Sequence, residues 1–211
     1  MTFGSMDTIL PTTNDLRIGI FGGTFDPPHK GHIRLAREAK KHLLLDRVLF
    51  IPTCESYMKE GVSSPEIRLK LAKLAVMGYQ GFSVSDMEIR RGGKSYTCVT
   101  VEELNRTSPA DYFFICGADT LFGMERWEKP EVIFAGVKIA VSVRDDADRK
   151  RVLKKAEELK KRFRAEVYLL PITEYDCSSS DIRARIGQGL DVSAQLPKRV
   201  HQYITEKGLY R

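Results

Sequence analysis

The segment RIGIFGGTFDPPHKGH, residues 17–32, leads from a short apolar run into two glycines, two prolines and two histidines. The run 17–21 predicts a buried strand, and residues 32–44 carry apolar side chains at helical spacing. Gly22 and Gly23 let the backbone approach a ligand closely, because no Cβ intervenes. The segment therefore predicts a strand, a ligand-binding turn and a helix in succession.

Strands and helices alternate along the rest of the chain. The predicted strands are 47–52, 82–88, 111–117, 137–144 and 165–171. The predicted helices are 64–76, 97–107, 149–164, 180–187 and 196–207. Several strands are apolar on both faces, which is typical of a parallel sheet covered on both sides. We predict an α/β fold, a Rossmann-like doubly wound parallel sheet with a C-terminal helical segment at about 177–211. Residues 17–211 are expected to form one domain, and 1–16 a disordered leader.

The composition describes an ordinary globular protein that binds anions. Of 211 residues, 34 are basic and 28 acidic, which gives a net charge of +6 and suits phosphate-bearing ligands. No stretch reaches the roughly 20 apolar residues of a membrane span. Four scattered cysteines without a CxxC pair indicate a cytoplasmic protein rather than a disulfide framework or a zinc site. The basic helix 149–164 is interpreted as a solvated face, with a nucleic-acid stripe as the alternative.

The first turn is expected to bind phosphate. The amides of Thr24 and Phe25 and the N-terminus of the following helix offer donors and positive charge. His29 and His32, three residues apart, can converge on one face. Three interpretations stay open for them: a metal pair, a structural role with loop carbonyls as partners, or hydrogen bonds donated to phosphate oxygens.

A second anion-binding segment follows the last predicted strand. In CSSSDIR, 177–183, any of the three serines can cap the next helix, and Arg183 lies on its first turn. The planar, permanently charged guanidinium suits bidentate binding of phosphate. Helix capping alone would leave the same sequence pattern.

The two segments together resemble the HxGH nucleotidyltransferases, whose motifs read GxFxPxHxGH and ISSTxIR. MEIRRGGKSYTCVTVEEL, 87–104, and GADTLFGMERWEKPEVI, 117–133, resemble stretches of the bacterial nicotinate-nucleotide adenylyltransferase family. The resemblance implies adenylyl transfer from ATP to nicotinate mononucleotide, which releases pyrophosphate. Nicotinamide mononucleotide, alone or as a second substrate, is the nearest alternative. A non-catalytic nucleic-acid-binding protein on the same fold is a distant one.

The resemblance also implies roles for individual residues. The expected catalytic residues are His29, His32 and Arg183. Expected ATP contacts are Gly22, Gly23, Thr24, Phe25, His29, His32, Ser179, Ser180, Arg183, Gly117 and Asp119. Expected contacts to nicotinate mononucleotide are Thr24, Lys59, Thr97, Trp127 and Glu128. Mg²⁺ is expected to be bridged through the phosphates, with no protein ligands.

Several of these residues also have a purely structural explanation. Trp127 is equally consistent with a core tryptophan, Thr97 and Asp119 with helix capping, and Lys59 with a solvated surface lysine. The stretch SYMK, 56–59, departs from the PPHK pattern that the family often shows. Membrane and nucleic acid are not expected as partners, and a homo-oligomer is left open.

Overall fold

The computed structural model describes residues 16–55, 61–143, 146–171 and 177–211. In these residues one sheet contains six strands in the order β3-β2-β1-β4-β5-β6, and all neighbouring strands pair in parallel. The strands are β1 (Arg17–Gly23), β2 (Arg47–Pro52), β3 (Phe82–Val84), β4 (Asp111–Gly117), β5 (Lys138–Ser142) and β6 (Val167–Leu170). The predicted doubly wound parallel sheet is confirmed. Its strand order reverses between β1 and β4, where such folds bind their ligands.

Helices cover both faces of the sheet and follow it at the C-terminal end. They are α1 (Lys30–His42), α2 (Pro65–Val76), α3 (Met87–Arg91), α4 (Thr97–Thr107), α5 (Ala118–Gly123), α6 (Pro130–Gly136), α7 (Asp146–Phe163), α8 (Ser179–Gly187) and α9 (Lys198–Lys207). None of the helices within the described ranges combines the length and apolarity needed to cross a membrane.

Most predicted elements lie within a few residues of their observed positions, but the strand predicted over 82–88 ends at Val84. The next residues turn into α3, where Arg90 Nε contacts Asp86 Oδ1 at 2.8 Å across one helical turn. Gly92 ends this helix with a φ of +74°, a conformation that glycine adopts without steric cost. The apolar alternation of the segment therefore predicted too long a strand.

Each strand in the middle of the sheet contributes side chains to two cores. On β4, Tyr112, Phe114 and Cys116 join the core beneath α4 to α7, whereas Phe113 and Ile115 join the core beneath α1, α2 and α9. The alternation explains why this strand is apolar throughout. Because helices cover both faces of the sheet, a ligand is expected at the carboxyl ends of β1 and β4 rather than on a face.

Candidate active site

A cavity of about 430 Å³ opens at the carboxyl ends of β1 and β4. It lies at the reversal of strand order, the place at which α/β sheets bind ligands. Ten of the residues predicted as site residues are in its wall: Gly22, Gly23, Thr24, Phe25, His32, Thr97, Gly117, Asp119, Trp127 and Ser179. The cavity thus joins the first turn to the segments around residues 97, 119 and 179.

The two histidines of the first turn hold one another in place. His29 is the N-cap of α1, and its backbone N–H donates to Nδ1 of His32 at 3.1 Å. The centroids of the two rings are 3.7 Å apart, and their planes are tilted by 35°. Because Nδ1 of His32 accepts this bond, a neutral His32 ring carries its proton on Nε2. The spacing noted in the sequence therefore fixes the tautomer of the histidine that lines the cavity.

His29 lies beneath His32 and does not line the cavity. Its ring is buried, and its Nδ1 has no hydrogen-bond partner among the residues that the structure describes. Desolvation by this burial lowers the pKa of His29 to about 4. The ring is consequently neutral at pH 7, and the adjacent pair avoids two neighbouring positive charges.

Aromatic side chains fix the plane of the His32 ring. The ring of Phe25 meets it edge-to-face at 5.2 Å, and that of Phe21 lies 5.8 Å away. Phe25 itself has a φ of +52°, which is rare for a residue with a side chain. This backbone conformation changes the direction of the chain after β1, toward α1.

The second predicted segment docks directly on the first turn. Nη1 of Arg183 donates to the carbonyl of Asp26 at 2.7 Å, across 157 residues of sequence. Oγ of Ser179 donates to the carbonyl of Pro27 at 2.9 Å. Ser178, the N-cap of α8, accepts the N–H of Asp181 at 3.0 Å. The start of α8 and the turn after β1 therefore form one wall.

The opposite end of the cavity combines an aromatic ring with buried polar groups. Trp127 is half-buried and meets Phe114 edge-to-face at 6.0 Å, so it lines the cavity and packs on the core at once. Thr97 is the first residue of α4, whose N-cap is Tyr96, and its side chain faces the cavity wall. This end can accept a flat ring with a polar substituent.

Glu88 is a buried acid in the same wall that the sequence interpretation did not single out. Oγ1 of Thr100 donates to its Oε1 at 2.6 Å, and Nη2 of Arg91 donates to the same hydroxyl at 2.9 Å. Burial raises the pKa of Glu88. Its place in the stretch 87–104, which resembles the adenylyltransferase family, is the sequence signal that could have identified it.

Other predicted site residues lie outside the cavity wall or outside the described residues. Ser180 and Glu128 are exposed, and Arg183 contacts the turn rather than the cavity. Asp119, by contrast, lines the cavity and is exposed on α5. Lys59 lies in 56–60 and residues 1–15 of the predicted leader also fall outside the described ranges.

Arg68 is a further residue that sequence analysis missed. Its side chain is fully buried, and its guanidinium donates to four backbone carbonyls. The acceptors are the carbonyls of Thr24 at 3.0 Å, Thr53 at 2.7 Å, Cys54 at 2.6 Å and Ser63 at 2.9 Å. Arg68 thereby ties the turn after β1 to the loop after β2. Its position on the apolar face of the predicted helix, with Leu71 and Ala75, was the available signal.

Comparisons with known proteins identify the family of the chain. Residues 20–185 match the model of the cytidylyltransferase-like family. The chain is 39% identical to a protein of Clostridium botulinum (strain Eklund 17B) named probable nicotinate-nucleotide adenylyltransferase, over 92% of this chain and 98% of the relative. A protein of the same name from Carboxydothermus hydrogenoformans is 40% identical with the same coverage.

The fold also matches a solved structure. That structure is Plasmodium falciparum nicotinic acid mononucleotide adenylyltransferase complexed with NaAD, at a TM-score of 0.73 and 16% identity. The alignment covers 92% of this chain and 97% of the other. At this identity the likeness concerns the fold.

Proposed function

This chain belongs to the nicotinate-nucleotide adenylyltransferase family, and from that premise we propose how its residues transfer the adenylyl group of ATP to nicotinate mononucleotide. The observation that carries the proposal is the contact of Arg183 and Ser179 with the Asp26–Pro27 turn. This contact supports the proposal because it joins two segments that were each predicted to bind phosphate and were each ambiguous alone.

The reaction needs alignment more than it needs a protein nucleophile. A phosphate oxygen of nicotinate mononucleotide attacks the α-phosphorus of ATP, the new P–O bond forms, and the bond from the α-phosphorus to the bridging oxygen breaks. Pyrophosphate leaves with that electron pair. Because the attacking oxygen is already anionic at neutral pH, the protein is left to orient two polyanions and to stabilise the charge on the leaving group.

The first turn and α8 supply that stabilisation. Nε2 of His32 donates to a phosphate oxygen, and the Phe25 N–H adds a backbone donor. The Thr24 carbonyl bonds to Arg68, so the planar peptide directs the Phe25 N–H away from that arginine. His29 supports the His32 ring from below, and its neutral ring keeps one N–H that can donate to a phosphate oxygen. Ser179, Ser180 and Arg183 serve the same triphosphate from the start of α8.

The remaining cavity residues are assigned to the nucleosides. Trp127 stacks on the pyridine ring, and Thr97 donates its hydroxyl to the carboxylate. Gly117 and Asp119 receive the ribose of ATP. Lys59 and Glu128 stay proposed contacts of nicotinate mononucleotide, Lys59 toward its phosphate.

Nucleotidyltransferases of this kind generally use a divalent metal with ATP, and we propose Mg²⁺. Among the described residues, no three His, Cys, Asp or Glu side chains gather as a protein metal site requires. Phosphate oxygens and water are a ligand set that Mg²⁺ favours, and we propose that they would hold the ion. When bound, the ion neutralises charge on the phosphates. The proposed location is the cytoplasm, a reducing compartment in which disulfides are rare.

The direct test supplies ATP, MgCl₂ and either nicotinate or nicotinamide mononucleotide, and measures dinucleotide and pyrophosphate. We expect stoichiometric release of both products, with a higher kcat/KM for the acid. A higher kcat/KM for the amide would reassign the substrate. Salt-sensitive RNA binding without pyrophosphate release would instead favour the nucleic-acid-binding alternative.

A further inference from the structure

The carboxylate of Asp26 is the buried centre of the first turn. The residue is 1% exposed. Oδ1 accepts the hydroxyl of Tyr210 at 2.6 Å, and Oδ2 accepts the backbone N–H of Ser63 at 3.0 Å. Nη1 of Arg183 lies 4.0 Å from Oδ2. A carboxylate buried in this way needs such donors, because an unpaired buried charge is strongly destabilising.

The backbone of the turn is held from several directions at once. The carbonyls of Thr24, Asp26 and Pro27 accept bonds from Arg68, Arg183 and Ser179 respectively. Between them, the side chain of Asp26 is held by Tyr210. The left-handed φ of Phe25, +52°, is an unfavourable conformation that persists only where surrounding contacts enforce it.

Tyr210 reaches this turn from the segment after α9. Gly208 ends α9 with a φ of +61°, and the N–H of Leu209 donates to the carbonyl of Ile204 at 3.1 Å. The ring of Tyr210 then packs beside the core under α1, α2 and α9. The C-cap of α9 and the packing of the ring therefore hold the Tyr210 hydroxyl next to Asp26.

We propose that Tyr210 is a positioning residue, which fixes the phosphate-binding turn through its hydrogen bond to Asp26. Neither residue lines the cavity, so the effect on substrates passes through the turn that carries Phe25 and His32. Burial, followed by the bond to Asp26, raises the pKa of the Tyr210 hydroxyl, which keeps it a donor throughout the neutral range. The inference rests on the proposed roles of the turn and extends them to a residue 184 positions away.

The test compares Tyr210→Phe with Tyr168→Phe. The control loses a hydroxyl that donates to the exposed carboxylate of Glu166 at 3.1 Å, outside the cavity. For Tyr210→Phe we expect kcat, per folded molecule, to fall roughly tenfold, because small displacements of a catalytic turn are costly. The KM for nicotinate mononucleotide should stay within about twofold of wild type, and Tyr168→Phe should match wild type in both constants.

Two outcomes overturn the inference. One is a Tyr210→Phe kcat within about twofold of wild type. The other is a loss of rate that disappears once rates are divided by the folded fraction from circular dichroism, since that loss would be purely structural. A double-mutant cycle with Asp26→Asn adds an independent check, because residues that act through one bond give non-additive losses. Additive losses would contradict the proposed route.

Failure of the proposed function has a different signature. If wild-type protein forms no dinucleotide, the function is wrong whatever Tyr210 does. The positioning role is then read from the Kd of α,β-methylene-ATP, which should be roughly fivefold or more weaker in Tyr210→Phe than in Tyr168→Phe. Equal Kd values would overturn it.

Discussion

The imidazole rings of His29 and His32 lie with their centroids 3.7 Å apart and their planes inclined by 35°, and the backbone N–H of the first residue donates to Nδ1 of the second. One ring is buried and the other lines the cavity. In the proposed mechanism the two residues have different roles: His29 is the N-cap of α1 and supports its neighbour, while His32 donates from Nε2 to a phosphate oxygen. The roles assigned below follow from this division.

Substitution of His32 by alanine should reduce turnover far more than it weakens binding of nicotinate mononucleotide. A preorganised donor to a leaving group contributes mainly in the transition state, so we expect kcat to fall by roughly 10²-fold or more. Steady-state kinetics with each substrate varied would measure this. His42→Ala is the control, because His42 contacts Glu38 on the surface of α1. Near-wild-type turnover in His32→Ala would remove the histidine from the mechanism.

The buried His29 should make folding sensitive to acid. Well above pH 6.5 the ring is neutral in both the folded and the unfolded protein. As the pH falls below 6.5, the unfolded chain binds a proton at His29, whereas the folded protein, in which the pKa of His29 is about 4, does not. The free energy of unfolding should therefore decrease as the pH falls from 6.5 to about 4, by about 3 kcal/mol in total.

This acid sensitivity is measured by urea unfolding between pH 7 and pH 4 in wild type and His29→Asn. The variant should lose the part of the pH dependence that His29 contributes, whatever its stability at pH 7. His42→Asn should retain the wild-type dependence. Identical pH profiles for wild type and His29→Asn would contradict the burial of a neutral ring.

Replacement of Arg68 by methionine should destabilise the fold. The change leaves four buried carbonyls without their donor and removes the positive charge near Asp26. We expect the free energy of unfolding to drop by about 4 kcal/mol. Lys70→Met, an exposed position on the same helix, should cost less than about 0.5 kcal/mol. Denaturant unfolding of both variants measures these free energies. Equally small decreases in the two variants would contradict the prediction, because they would show that the four carbonyls find other donors.

Binding of nicotinate mononucleotide should quench the fluorescence of Trp127. The chain has one tryptophan, so the signal has one source. Stacking of a pyridine ring on the indole is the physical cause, and a titration at fixed protein concentration measures it. The same titration of free N-acetyltryptophanamide controls for absorption by the ligand. Unchanged emission at saturation would restrict Trp127 to its packing against Phe114.

The fold was largely predictable because its signals are local. Apolar runs such as Phe113 to Cys116 indicate strands buried on both faces, and Ser64 followed by Pro65 marks the start of α2, where Ser64 accepts the N–H of Ile67. Short elements were harder: α3 has five residues and lies in a segment whose alternation suggested a longer strand. Such helices depend on capping and tertiary packing more than on periodicity.

The candidate site was only partly predictable, because several of its residues act at long range. Histidine and serine motifs are visible in sequence since they are clustered. Asp26, Arg68 and Tyr210, in contrast, are far apart in the sequence. Folding alone places the hydroxyl of Tyr210 2.6 Å from Oδ1 of Asp26. A phosphate contact of Arg183 stays a prediction, and the bond from its Nη1 to the carbonyl of Asp26 is an additional contact that the sequence did not indicate.

The central claim is that the turn after β1 and the start of α8 bind one triphosphate between them. A crystal structure with α,β-methylene-ATP and Mg²⁺ tests it most directly. We predict phosphate oxygens within about 3.2 Å of Nε2 of His32 and, on the same nucleotide, of donors from the Ser179–Arg183 turn. A nucleotide whose phosphates contact only one of the two segments, or neither, would contradict the account.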